Sequence, residues 1–435
     1  MDLIIYTLRS IGNAILFPPL VFILLIMLGV FYFKNRKRAV MQKMMVGADV
    51  ESAIELTLSQ FVFGVLGGII GSVILNLLGV VFNENCRIEI LFLTSMILMA
   101  IKPSLVCFSY SAAVLGIISI IFKIISNIVP DSNFSYILSI DILHIMMFVG
   151  VMHIVEGILV FLDGHRGAFP ILIRKEDEIL GGYSLRRYWI LPVAIMIIGN
   201  LSNSYNTYES IILSDIPSYW ALFKPDSEIE LLKVLALSMF SFYAVIGYSS
   251  VTYTKTKVEK ARSSGLHIFS YGIVLLAVAQ LSRLGIAGEI FVVIFAPVAH
   301  EFMLRIQRNK EINGKPKFVS DKDGLIILEI GSESKLKEFN MDVNSRIISV
   351  NDEDIKCEKD IYSILKKNLY KSVIKIKDCN GIIKEINYAH DNNRIGALLV
   401  PLSEKNKEQK IEDKKSIKNF KEVLDEVTNK TTENK

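Results

Sequence analysis

His153 and Glu156 stand three residues apart inside one apolar run, His300-Glu301 closes another, and Asp163-Gly164-His165 follows the first. At i, i+3 an imidazole and a carboxylate share a helical face. Exposed to lipid at a span centre, an acidic side chain costs about 2.5–3.5 kcal/mol on insertion scales, so these groups are expected to meet one another. Such a set can do two things: fix helix packing through hydrogen bonds, or hold a divalent cation. Hydrolysis by a bound metal needs more, because a second imidazole one helical turn on must complete the ligand pair while the Glu activates water. One turn after His300 stands Leu304. The expectation is therefore an intramembrane polar cluster of His153, Glu156, Asp163, His300 and Glu301 with a packing role, and no catalytic residue, metal or cofactor. No Ser/His/Asp grouping, phosphate loop or nucleotide fingerprint occurs.

The elements that position these groups are membrane spans. Of the 435 residues 51% are hydrophobic and the mean hydropathy is +0.43, which a soluble chain of this length does not reach. The net charge of +4 arises from 48 bases and 44 acids, so no overall field draws nucleic acid. Cys86, Cys107, Cys357 and Cys379 show no paired spacing, which argues against a disulfide framework or a zinc knuckle. Crossing a core of ~30 Å takes about 20 helical residues. Four runs satisfy this: Ile11 to Phe33, Phe61 to Phe82, Tyr136 to Leu162 and Leu231 to Val251. Shorter candidates are Ile88 to Ile101 with Ser111 to Ile125, Tyr188 to Gly199, Ile268 to Leu281 and Ala287 to Leu304. Lys102-Pro103 and Ser282-Arg283 are either tight turns between spans or breaks in re-entrant helices. A domain of about 7–9 helices over residues 1–305 is expected, its first segment retained as an anchor.

Bases settle the expected orientation. With the N-terminus outside, the inner loops receive Lys34 to Lys43, Lys102, Arg166 to Arg187 and Lys255 to Arg262, while the opposite side carries mainly Arg9, Arg87, Lys123, Lys224, Lys233 and Arg283. The positive-inside rule favours that arrangement. Tyr188-Trp189 and Tyr219-Trp220 then stand at the two interfaces, and the acidic stretch from Leu201 to Glu230 lies on the outer surface.

After a linker at 306–316 the pattern changes. Leu325 to Leu328, Arg346 to Val350 and Val373 to Lys377 read as strands, Asn380-Gly381 as a hairpin turn, and Asp360 to Leu369 as a helix with Ile361, Leu365 and Leu369 on one face. From Gly324 to Lys367 the string resembles a bacterial PDZ domain, with Ile347 to Asn351 as its "I-x-x-V-N". Asn340 and Asn344-Ser345 stand where Gly and Gly-Asp are usual, and Asp352 replaces the Gly of Asn-Gly; Asn and Asp are the residues that best tolerate the left-handed backbone those turns require. The resemblance implies that a peptide adds as a strand beside Gly324, Leu325, Ile326, Ile327 and Leu328, with Ile361 and Leu365 on the opposite wall. The competing reading makes these residues the module's own core. The fold class expected is a polytopic α-helical membrane domain, a cytoplasmic α/β PDZ-like domain at 317–402 and a charged, disordered tail at 403–435. In that tail Ile417, Phe420, Leu424 and Val427 would form a narrow apolar stripe if helical.

Several phrases together, Leu105 to Ser111, His153 to Gly157, Asp163 to Ala168, Leu185 to Pro192 and Ala296 to Glu301, resemble the MinJ-like family of Gram-positive polytopic PDZ proteins. The resemblance implies a non-enzymatic scaffold at septum or poles, partnered by the bilayer and by DivIVA-type and MinD-type proteins rather than nucleic acid. A transport or secretion component is the alternative. A span, a PDZ-like module and a His-Glu pair are also similar to site-2-type intramembrane metalloproteases, but Asp163-Gly164 precedes His300-Glu301, the reverse of their order, so only an inactive relative would fit.

Overall fold

The computed structural model describes residues 2–83, 88–101, 107–128, 141–175, 178–199, 210–211, 236–321, 323–339, 341–367, 371–379, 381–389 and 395–402. Pro18 opens the second helix, where its missing N–H is harmless, and so divides the first apolar run into α1 (Asp2–Leu16) and α2 (Pro18–Val46). Then follow α3 (Ala53–Leu77), β1 (Val81–Asn83), α4 (Glu89–Ile101), α5 (Phe108–Ile128) and α6 (Ile142–Asp163). Strands β2 (Phe169–Lys175), β3 (Glu178–Gly199), β4 (Ser210–Ile211) and β5 (Ala236–Thr252) lead to α7 (Lys257–Ala279) and α8 (Ile286–Asn313). Among the described residues six helices are long and apolar enough to cross a membrane: α2, α3, α5, α6, α7 with its short 3-10 extension, and α8.

Two expected helical spans are strands. Tyr188 to Gly199 lies in β3 and Leu231 to Val251 largely in β5, paired antiparallel from Tyr183↔Thr252 to Gly199↔Ala236. Length gives one reason: twelve residues make about 18 Å of helix but about 40 Å of strand at ~3.3 Å each. Pro192 would also break a helix at its middle. Backbone away from helices survives at membrane depth only when protein covers it, and β3 is covered, with Trp189, Leu191, Val193, Ala194 and Ile195 at most 1% exposed. The cover is α3. A Cβ on Gly64 or Gly68 would strike the carbonyl oxygens of Ile190 and Pro192, so only a glycine face lets the strand lie on the helix. Ser72 on that face accepts the Ala194 N–H at 2.9 Å.

The change of solvent falls inside α8. Residues 306–313, expected as linker, continue this helix to Asn313, and by its contacts Met1–Leu402 is one compact unit. The module comprises β6 (Phe318–Val319), β7 (Leu325–Ile330), β8 (Arg346–Val350), β9 (Glu353–Asp354), α9 (Glu358–Lys367), β10 (Lys371–Lys377), β11 (Ile383–Ala389) and β12 (Ala397–Leu399). Its sheet runs β11-β10-β8-β7-β12, with β9 on β8. Asn344, Asn351 and Asp352 all have positive φ, as the departures from glycine in those turns require. Gly381 also turns through positive φ between β10 and β11; Asn340 and Asn380 lie outside the described residues.

The module is sewn to the helical part. β6 pairs with β3 at Leu180↔Val319 and Gly181↔Phe318, and Phe318, Ile326, Leu328, Leu398 and Val400 belong to the apolar cluster that holds α6 and α7. The Lys257 Nζ donates to both Glu329 carboxylate oxygens at 2.9 and 3.1 Å. Tyr183 gives its hydroxyl proton to the Leu328 carbonyl.

Candidate functional site

The predicted peptide groove is closed by the chain itself. β7 pairs with β8 on one edge and with β12 on the other, at Ala397↔Ile330, Leu398↔Glu329 and Leu399↔Ile327. Leu325, Ile326, Ile327 and Leu328 are at most 1% exposed, as are Ile361 and Leu365. Leu325, Ile327, Ile361 and Leu365 share the module's own core, and Gly324 opens β7 at φ 132 with its face against the Ile347 carbonyl. Ile326 and Leu328 instead face the apolar cluster shared with the helical part. The end strands of the sheet are β11 and β12, each pairing with one strand among the described residues.

The five polar residues expected to cluster divide into two sites. Asp163, the last residue of α6, meets Arg187 of β3: Nε donates to Oδ2 at 2.7 Å and Nη2 to Oδ1 at 3.3 Å, while the Trp189 indole N–H reaches Oδ2 at 2.8 Å. Asp163 and Arg187 have no exposure at all. Ser59 of α3 accepts a further bond from Arg187 Nη2. Around this ion pair the chain wraps tightly, with Gln42 donating to the Ala168 carbonyl at 2.8 Å, Glu51 accepting the Gly167 N–H at 2.7 Å and Arg38 donating to the Arg186 carbonyl at 2.9 Å. Burial raises the Glu51 carboxyl above its ordinary range and lowers His165 below its own. The Asp163 to Ala168 phrase is thus a hub where α2, α3, α6 and β3 meet, and the bases of the expected inner loops gather there.

His153 and His300 form the second site. His153 lies eleven residues into α6 and ten before its end, about 15 Å from either at 1.5 Å per residue. Gly150 and Gly157 bring α7 close, since a Cβ on Gly272 or Gly265 would sit 2.7 Å from their carbonyl oxygens; such small-residue seams are how apolar helices approach. Between the two crossings the rings of His153 and Tyr271 meet edge to face at 4.9 Å, and those of His153 and His300 at 5.5 Å. Glu156, three residues on along α6, hydrogen-bonds to no described residue. Glu301 is reached through Tyr110, whose hydroxyl donates to Oε2 at 3.3 Å.

A cysteine joins them. Cys107 Sγ stands 3.1 Å from His153 Nε2, and one donor atom each from Cys107, His153 and His300 all lie within 4.8 Å of one another. Cys107 immediately precedes α5, so the start of α5 packs against the middle of α6. Lys102 and Pro103 lie outside the described residues. α5 returns along α8, held by the Lys123 to Glu289 ion pair at 2.7 Å. Ser109 Oγ, 3.4 Å from His153 Nε2, lies 2.8 Å from the Tyr271 hydroxyl, which donates to the Ala296 carbonyl at 2.8 Å. Cys107, Ser109, Tyr110 and Tyr271 were not among the expected site residues. Cys107, Ser109 and Tyr110 sit in the Leu105 to Ser111 phrase, which was the available signal.

No family model matches the chain, and no match was found among curated proteins or among solved structures.

Proposed function

We propose that this chain is a non-enzymatic polytopic membrane scaffold of the MinJ-like kind, with its α/β module on the cytoplasmic side recruiting division-site proteins. The observation that carries the reading is the seam between module and helices. A strand pair, a half-buried ion pair and a shared apolar cluster hold the module in one orientation on the base-rich end of the helices, which suits a platform that presents a surface at a fixed angle to the bilayer. The recognition edge moves from β7 to β11, whose backbone groups face outward and can accept an added strand. DivIVA-type and MinD-type proteins are the partners this reading names. A fluorescent fusion at native expression is expected at septa or poles, and uniform membrane signal in dividing cells would remove the division role.

The polar side chains gathered at the middle of α6 favour transport or secretion as the second reading, because such groups inside apolar spans mark substrate or ion paths. With Cys86, Cys357 and Cys379 replaced by Ser, a membrane-impermeant maleimide that labels Cys107 from one side supports a water path. Protection from both sides excludes it.

A further inference from the structure

Both imidazoles of the mid-depth site are oriented as ligands. His153 Nδ1 lies 2.7 Å from the Val149 carbonyl oxygen, an acceptor that forces this nitrogen to be the donor and leaves the lone pair on Nε2, facing Cys107. His300 Nδ1 lies 3.3 Å from the Tyr110 hydroxyl. That hydroxyl gives its own proton to Glu301, so Nδ1 donates and Nε2 again keeps a lone pair. A metal-binding histidine characteristically has its other ring N–H fixed in this way, by a carbonyl or through a carboxylate. The hub around Asp163 offers nothing comparable, because its oxygens already accept from Arg187 and Trp189.

We infer that Cys107, His153 and His300 form a binding site for a zinc-class divalent cation, which fastens the start of α5 to α6 and α8. One thiolate and two imidazoles are the donor set that such borderline-soft ions prefer. Zinc bonds of about 2.3 Å to sulfur and 2.0–2.1 Å to nitrogen at a tetrahedral angle put Sγ and Nε2 about 3.5 Å apart. The present 3.1 Å has to open by about 0.4 Å, a small side-chain movement. Three protein ligands leave a fourth position, beside which Ser109 Oγ stands. On binding, the Cys107 thiol loses its proton to solvent, and the cation with one thiolate carries a single positive charge. The inference does not depend on the scaffold reading.

The test uses the full-length chain purified in micelles, with zinc and cobalt(II) as probes. Expected are one zinc retained per chain after dialysis and, with cobalt, a thiolate-to-metal charge-transfer band that Cys107→Ser abolishes. Tyr110→Phe, which frees the His300 ring, is expected to weaken binding by about tenfold or more while leaving the band in place. Zinc should also slow alkylation of Cys107 in the otherwise cysteine-free chain, a readout on the unaltered site should the serine variant fail to fold. No retained zinc and no cobalt band, or the same zinc content and band in Cys107→Ser, would overturn the site. Alkylation unaffected by zinc would do so as well, leaving Cys107 and His153 as a simple hydrogen-bonded pair.

Discussion

Two polar sites are buried among the apolar helices, and they differ in what their atoms have left to give. At the hub the Asp163 carboxylate accepts from Arg187 and Trp189, with the Arg166 guanidinium 3.6 Å from Oδ1; its charge and its lone pairs are spoken for. At mid-depth one ring nitrogen of His153 is tied to a carbonyl and one of His300 to a hydroxyl, and one donor atom from each of Cys107, His153 and His300 lies within 4.8 Å of the others. A satisfied ion pair holds a fold together. A convergent set of unspent lone pairs holds a ligand. That difference assigns a structural role to the hub and a binding role to the mid-depth site, although both were expected to be one cluster.

The largest effect should come from the hub. Removing one partner of a buried pair strands the other charge, at about 3–5 kcal/mol, so Arg187→Met and Asp163→Asn are each expected to lower unfolding free energy in micelles by that order. The double replacement Asp163→Leu with Arg187→Met should recover much of the loss, since a packed apolar pair often equals a buried salt bridge. In metal-free protein Cys107→Ser should cost far less, below about 1 kcal/mol, because a weak hydrogen bond is all it gives up. Equal losses at the two sites would erase the distinction. At the seam Lys257→Met leaves the Glu329 carboxylate, 5% exposed, without its cation; about 2 kcal/mol is expected, within the range for hydrogen bonds to charged groups. Limited proteolysis should detect it as faster cleavage between α8 and β7, and unchanged cleavage would make the seam dispensable.

How much of this was legible follows from which contacts are local. α2, α3 and α6 follow apolar runs long enough to span, although length alone misled at Leu231 to Val251, which is largely β5. β3 does not, because a strand buried on both faces is apolar throughout and loses the period of two that would identify it. Its signal was Pro192 together with a length too short for a helical span. β5 did carry the period, with Ala244, Ile246 and Tyr248 buried and Val245, Gly247 and Ser249 exposed between them, and was hidden only by its total hydropathy. The turns of the module were readable from Asn344, Asn351 and Asp352 because backbone strain is a property of single residues. Cys107 was beyond such reading: forty-six positions separate it from His153, and only the packing of α5 against α6 and α8 closes that distance. Nor does anything within β7 say that β12 will pair along its edge.

The smallest predicted effect isolates burial as the cause of the hub's strength. Asp360, in the first turn of α9, also has a well-served carboxylate: its Oδ2 accepts the N–H groups of Lys356 and Cys357 at 2.8 and 3.0 Å. The Lys356 bond is the main reason its carboxyl lies below the ordinary range. Unlike Asp163, it is only half-buried, so an amide that keeps one acceptor oxygen should cost well under 1 kcal/mol of module stability. The sign of its pH dependence is fixed. A carboxylate held lower in the folded state contributes fully above the unfolded value, about 3.9, and its contribution fades as pH falls through the folded value. Denaturation of the wild type and of Asp360→Asn should therefore differ slightly at pH 6 and converge towards pH 3. A loss at Asp360 as large as that at Asp163 would mean that the number of partners, and not removal from water, sets the strength of the hub.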